Sequence, residues 1–179
     1  MDKDTLTFPH LMEVLQEYGE KARNLYQDKL ILADKIASGD LLNSCEFIVK
    51  QDGQSFSVIL SLKEYWKFVE GGAKGTESSP PNAVYPAHFP PVSALMKWIR
   101  IKPVIPRPLV NGKLPSQQQL AFLIGRGIEQ EGIDPVPAMK ETSEEIYREF
   151  SRKIQAAFLK DVEGIASLVC NVFSQLNTD

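Results

Sequence analysis

Cys45-Glu-Phe-Ile-Val-Lys-Gln-Asp-Gly-Gln-Ser-Phe-Ser-Val-Ile-Leu60 decides the fold class. Apolar and polar residues alternate on both sides of Asp52-Gly53, a pair suited to the positive backbone angles of a type I′ turn, so the stretch predicts a β-hairpin. A two-residue loop at Asp52-Gly53 would place Val49 opposite Phe56, Phe47 opposite Val58 and Cys45 opposite Leu60. All six then share one face, while Glu46, Ile48, Lys50, Ser55, Ser57 and Ile59 share the other. A sheet with one apolar face has to be covered by something else.

The sequence on either side supplies the cover. Phe8, Leu11, Met12, Leu15, Ala22, Leu25, Ile31, Leu32 and Ile36 recur at spacings of three and four, predicting a long N-terminal helix with Thr7 as its cap, Pro9 in its first turn and Ser38-Gly39 as its stop. Tyr65 to Val69 reads as a further short strand, although Lys63-Glu64 would equally begin a helical turn. Pro91 opens a helix with Val92, Leu95, Met96 and Ile99 on one stripe, closed by Pro103. Ser116 and Gln119 have capping-box spacing before Leu120, Leu123, Ile124, Gly127 and Ile128, and Gly132 ends that helix. From Ala138 a last pattern runs through Ile146, Phe150, Ile154, Ala157 and Phe158 to Leu176. Thr142 and Glu145 offer it a capping box, and Gly164, costing about 1 kcal/mol relative to Ala, is where it would kink or divide.

The expected architecture is therefore α+β: a small antiparallel sheet with a β-hairpin, packed by a long N-terminal helix and two to three further helices. Residues 1–160 are expected to form one domain, with 161–179 a helical extension of it. Gly71-Gly-Ala-Lys-Gly-Thr76 and the prolines that follow, through Pro91, are too rich in Gly and Pro for regular structure. This loop exceeds the usual length for a compact domain and at full extension would reach about 60 Å. It is expected to be mobile in the free chain and to order on assembly, with Gly71, Gly72, Lys74, Tyr85, His88 and Phe89 as candidate intersubunit residues.

Charge is distributed unevenly. From Ser78 to Ile128 there is no Asp or Glu, yet Lys97, Arg100, Lys102, Arg107, Lys113 and Arg126 lie within it. The rest of the chain holds 14 Lys+Arg against 23 Asp+Glu, a balance of −9. A basic strip on an acidic body suits a chain that meets nucleic acid or an acidic neighbour on one side. A Pro-rich, apolar stretch that exposes little surface would give the same pattern. Lys97, Arg100, Lys102, Arg107 and Lys113 are the candidate channel or partner contacts.

Other function classes find little support. No apolar run approaches the roughly 18–20 residues of a membrane span, and Met1-Asp-Lys-Asp lacks the cationic and apolar regions of a secretory signal. No membrane partner and a cytoplasmic site of synthesis are expected. Cys45 and Cys170 lack a CxxC spacing, and with His10 and His88 as the only histidines no zinc quartet is expected. In the glycine segment the order is Lys74-Gly75-Thr76, whereas a phosphate loop needs Gly-Lys-Ser/Thr opening a helix. Ser44 lies outside a GxSxG elbow, and Cys45 falls on the core face of its strand. No catalytic, cofactor-binding or metal-ligating residue is assigned, and the chain is expected not to be an enzyme. Trp66, Trp98, Tyr65, Tyr85 and Phe89 read as core aromatics or as base-stacking platforms beside the cations.

Taken in order, Ala37-Ser-Gly-Asp-Leu-Leu-Asn-Ser44, Tyr65-Trp-Lys-Phe-Val-Glu-Gly-Gly72, Phe89-Pro-Pro-Val-Ser-Ala-Leu-Met-Lys-Trp-Ile99, Gln119-Leu-Ala-Phe-Leu-Ile-Gly-Arg-Gly-Ile128 and Gly132-Ile-Asp-Pro-Val-Pro-Ala138 resemble the small tail-completion and neck proteins of tailed phages and prophages. These are also labelled minor tail or head–tail joining proteins. The likeness covers about residues 20 to 145 and departs at the last segment, where Val136 and Ala138 replace the usual Arg and Phe around the second Pro. It implies a structural virion protein, assembled in a bacterial host's cytoplasm and sited at the neck or tail top. It further implies a homo-oligomeric ring, six- or twelve-fold, that joins portal-adjacent neck proteins to the tail and makes transient contact with packaged double-stranded DNA. The alternative is a nucleic-acid-binding module that uses segment 78–128 directly.

Overall fold

The computed structural model describes residues 6–176 except 35, 37, 54, 103 and 111. Among these, in chain order, are α1 (Pro9–Leu32), α2 (Asp40–Asn43), β1 (Glu46–Asp52), β2 (Ser55–Ser61), α3 (Trp66–Gly71), α4 (Val92–Ile101), α5 (Gln117–Glu131) and α6 (Ala138–Leu176). The fold is α+β, with a two-stranded antiparallel sheet and a long N-terminal helix. The chain divides into two compact units, one of Met1–Tyr26, Glu46–Ser61 and Lys140–Asp179, the other of Gln27–Cys45 and Leu62–Met139.

In the first unit, burial alternates along both strands, and Phe47, Val49, Phe56, Val58 and Leu60 form the inner face, as the sequence predicts. The register differs. Asp52 pairs with Ser55, Val49 with Val58 and Phe47 with Leu60, so the pairing is displaced by two residues from the expected one and Asp52 belongs to the strand rather than to the loop. Gly53 takes the left-handed conformation at φ 60° in the first loop position, and Asp52 gains a ladder partner. The displacement is an even number of residues, so every side chain keeps its face. Against that face pack Phe8, just before α1, with Leu11 and Leu15 of α1 and Ile154 and Ile165 of α6. A neighbouring cluster joins Ala22 to Ile146 and Phe150, with Leu60 packed on it. Phe150 is fully buried and meets Tyr18 edge-on at 5.5 Å. Truncating such a side chain typically costs about 3–5 kcal/mol.

The N–H groups at the start of α1, which lack partners within the helix, are met from α6. Asp161 accepts from the N–H of Leu11 at 2.8 Å and of His10 at 3.1 Å, and its Oδ1 lies 2.6 Å from His10 Nδ1. Burial alone raises the Asp161 carboxyl, but the Leu11 N–H, the His10 ring and the His10 N–H outweigh it and hold the carboxyl below its usual range. Helix α6 itself begins one turn earlier than a Thr142 cap would allow. Glu70 accepts from the N–H of Met139 at 2.8 Å, supplying from elsewhere the cap that Thr142 would have given. Thr142 is consequently buried inside the helix, its hydroxyl without a hydrogen-bond partner. Gly164 does not divide α6 into separate elements; the helix runs on to Leu176.

The second unit departs more from expectation. Helix α1 stops at Leu32, Asp34 and Gly39 adopt positive φ, and α2 follows. The predicted strand at Tyr65–Val69 is helical, because Trp66 and Phe68 donate back to Lys63 and Tyr65 and start a turn. Helix α4 has Pro91 at its N-cap, and α5 has the predicted capping box, with Ser116 Oγ accepting from Gln119 N and Gln119 Oε1 from Ser116 N. Leu95 and Ile99 of α4 pack against Ala121 of α5, with Met96, Trp98, Ile124 and Ile128 around them.

The glycine-rich segment 71–90 is folded back into this unit. Ala73 exchanges backbone hydrogen bonds with Ile133, Lys74 donates to Tyr85, and Val84 and Tyr85 donate to Gly71 and Gly72. Thr76 donates to Glu129 O, while Glu77 and Ser78 donate to Gln130 O. Those carbonyls belong to the last turn of α5, which has no helical donors left for them. The segment caps α5, and backbone pairing substitutes for the apolar burial its composition lacks. Composition alone gave no sign of this pairing.

Candidate interaction surface

On α4 the residues facing away from Leu95 and Ile99 are Ser93, Ala94, Lys97, Arg100 and Ile101, all exposed. On α5 the outer positions are Gln118, Gln119, Phe122, Leu123 and Arg126. In the chain between the two helices, Ile105 is 93% exposed and Val110 fully exposed. Leu109 N donates to Lys113 O and Gly112 N to Leu109 O, which makes a tight turn with Val110 near its tip. Leu109 turns the other way and, with Val92, Gln118, Gln119, Phe122 and Leu123, lines an open groove of about 440 Å³.

The sequence-predicted cations separate into two groups. Lys97, Arg100, Arg107 and Lys113 are exposed, as is Arg126. Lys102 is half-buried, and its Nζ lies 2.6 Å from Asp34 Oδ2, a carboxylate from outside the acid-free segment. It therefore presents less charge outward than its place in the connector implied. The candidate loop residues also separate. Gly72 is buried, Tyr85 packs on Phe68 at a ring distance of 4.5 Å, and Phe89 packs on Phe122 at 5.6 Å. Gly71 is half-buried and joined to Val84 by a hydrogen bond, whereas the side chains of Lys74 and His88 are exposed.

The apolar residues here, Leu109, Phe122 and Leu123 in the groove and the exposed Ile105 and Val110 of the connector, were not among the predicted contacts. The signal for part of it lay in Leu120-Ala-Phe-Leu-Ile124, five consecutive apolar residues that wrap too wide an arc of a helix to be buried on one side.

The groups that elementary chemistry would try as nucleophiles have structural partners. Ser44 donates its hydroxyl to Leu41 O and accepts from Lys63 N, and Cys45 is buried. The His10 and Asp161 pair borders a shallow groove lined by Glu13, Val14, Glu17, Lys153, Ala156 and Lys160, which offers no hydroxyl or thiol among the described residues. Within those residues no cluster of His, Cys, Asp and Glu is arranged to hold a metal ion, and no helix is long and apolar enough to cross a membrane. No family model, curated protein or solved structure matches the chain.

Proposed function

We propose that this chain is a structural subunit of a tailed-phage or prophage virion, one copy of a six- or twelve-fold ring at the neck or tail top. The ring joins portal-adjacent proteins to the tail around the DNA channel, and the chain carries out no catalysis. The observation that carries this reading is how much apolar side chain the second unit leaves in water. Ile105, Val110, Leu114, Phe122 and Leu123 are all exposed, in a segment that has cations but no acid from Ser78 to Ile128. A lone monomer gains nothing by holding that much apolar side chain in water, whereas a subunit covers it on assembly. The sequence resemblance to neck and tail-completion proteins points the same way.

Electron microscopy and mass photometry of the purified chain across a concentration series test the proposal, and closed symmetric rings are the expected result. The exposed cations also favour a nucleic-acid-binding module. A chain that stays monomeric and binds duplex DNA at submicromolar strength, with affinity falling steeply as salt rises, would replace the first reading with the second.

A further inference from the structure

The second unit also holds a cavity that shares no residue with the groove of Leu109, Phe122 and Leu123. It measures about 370 Å³ and is lined by Val69 of α3, Leu95 and Trp98 of α4, Ile124 and Ile128 of α5, and Ile133 just after it. Among these only Ile133 is exposed, so the apolar wall is recessed rather than displayed on the surface. Well-packed interiors leave few voids larger than a water molecule, whereas this space would hold roughly a dozen. Apolar walls give such waters few hydrogen-bond partners, and an apolar molecule that displaces them gains affinity. The volume falls within the roughly 300–1,000 Å³ of small-ligand pockets.

Two charged side chains, Lys102 and Asp34, complete the lining. Lys102 Nζ lies 2.6 Å from Asp34 Oδ2 and 3.3 Å from Asp34 O. An ammonium has three N–H donors; Asp34 engages two, and one remains. The Trp98 indole is likewise a donor that cannot accept. The Asp34 side chain is 84% exposed, so water answers its remaining lone pairs. A charged ligand is disfavoured, because an anion would be repelled by the Asp34 carboxylate and a cation by the Lys102 ammonium.

We propose that this cavity binds a small uncharged molecule with an apolar body and one hydrogen-bond acceptor, such as a ketone or ether oxygen. The body lies against Trp98, Ile124 and Ile128, and the oxygen accepts from Lys102 Nζ. All the residues involved belong to the second unit, so the site does not depend on ring formation.

The neutral naphthyl ketone dye prodan tests this. Trp66→Phe leaves Trp98 as the only tryptophan. In that variant the dye should quench Trp98 and shift its own emission to the blue, saturating at one dye per chain. Ile128→Phe, which fills the cavity, should abolish the shift while the circular dichroism spectrum stays that of the parent. Lys102→Met keeps the length of the side chain and leaves behind only an exposed carboxylate. It should weaken prodan about tenfold and leave phenylnaphthylamine, which has no ketone oxygen, bound as before. If Ile128→Phe unfolds, the comparison of the two dyes on Lys102→Met still decides. Lack of saturable binding to the parent overturns the proposal, as does binding that a folded Ile128→Phe leaves intact. Equal effects on both dyes in Lys102→Met overturn the part given to its ammonium. Dye released as rings form overturns the small-molecule occupant in favour of a side chain from a neighbouring copy.

Discussion

Gly53 stands in open space, with nothing within 4 Å of where a side chain would begin, yet its φ is 60°. A substitution there tests backbone conformation alone. Gly53→Val should lose about 1–3 kcal/mol in urea unfolding, and Gly53→Asn much less, since Asn tolerates the left-handed region; equal stability of Val and the parent would remove the turn assignment. Asp161 poses a different test, because its worth depends on pH. Its folded pKa lies below the ordinary value of about 3.9, so its contribution is fully present above that value and is lost as pH falls through the depressed one. Asp161→Ala should therefore destabilise at neutral pH by about 1–3 kcal/mol, with the N–H of Leu11 left unanswered. The gap between parent and variant should close in acid, and a gap independent of pH would show that the carboxylate is not what holds the start of α1.

At the scale of elements, the junction between α5 and the glycine-rich segment carries the clearest expectation. Gly132 has φ 85°, and a Cβ on it would come within 2.8 Å of Gly75 N. Gly132→Val should push the segment off the end of α5 and expose Lys74 to trypsin, while the parent resists cleavage there; equal cleavage rates would mean that the capping contacts do not hold the loop. The same junction shows what was legible in the sequence. The α5 capping box was readable because donor and acceptor lie three residues apart. The caps of α1 and α6 were not, because Asp161 and Glu70 come from 150 and 69 residues away. Alternation fixed which hairpin residues face inward, but two registers of equal parity share that alternation, and only the turn distinguishes them. The loop's pairing was hidden for the same reason as the distant caps, since its hydrogen bonds run to Glu129, Gln130 and Ile133.

For the whole molecule, the acid-free cations were visible as composition, while the apolar groove beside them needed the packing of α4 on α5 to appear. Charge reversal at Lys97, Arg100 and Arg107 should change stability by less than about 0.5 kcal/mol each, since all three are exposed. Sedimentation should show weakened assembly, and rings as stable as the parent's would relieve these residues of any part in it. One feature of the chain's layout bears on its manufacture. The first unit joins segments far apart in sequence, Ala22 packing with Ile146 and Phe150, whereas the second has all its pieces once Met139 has been made. Synthesised from the N-terminal side, the apolar stripe of α1 and the inner face of the hairpin leave the ribosome before α6 and wait for it. At roughly 5–20 residues per second that wait is on the order of ten seconds. A nascent chain stalled at Met139 holds every segment of the second unit and an unclosed first one, with Leu11, Leu15, Val49 and Val58 open to whatever chaperone is nearest.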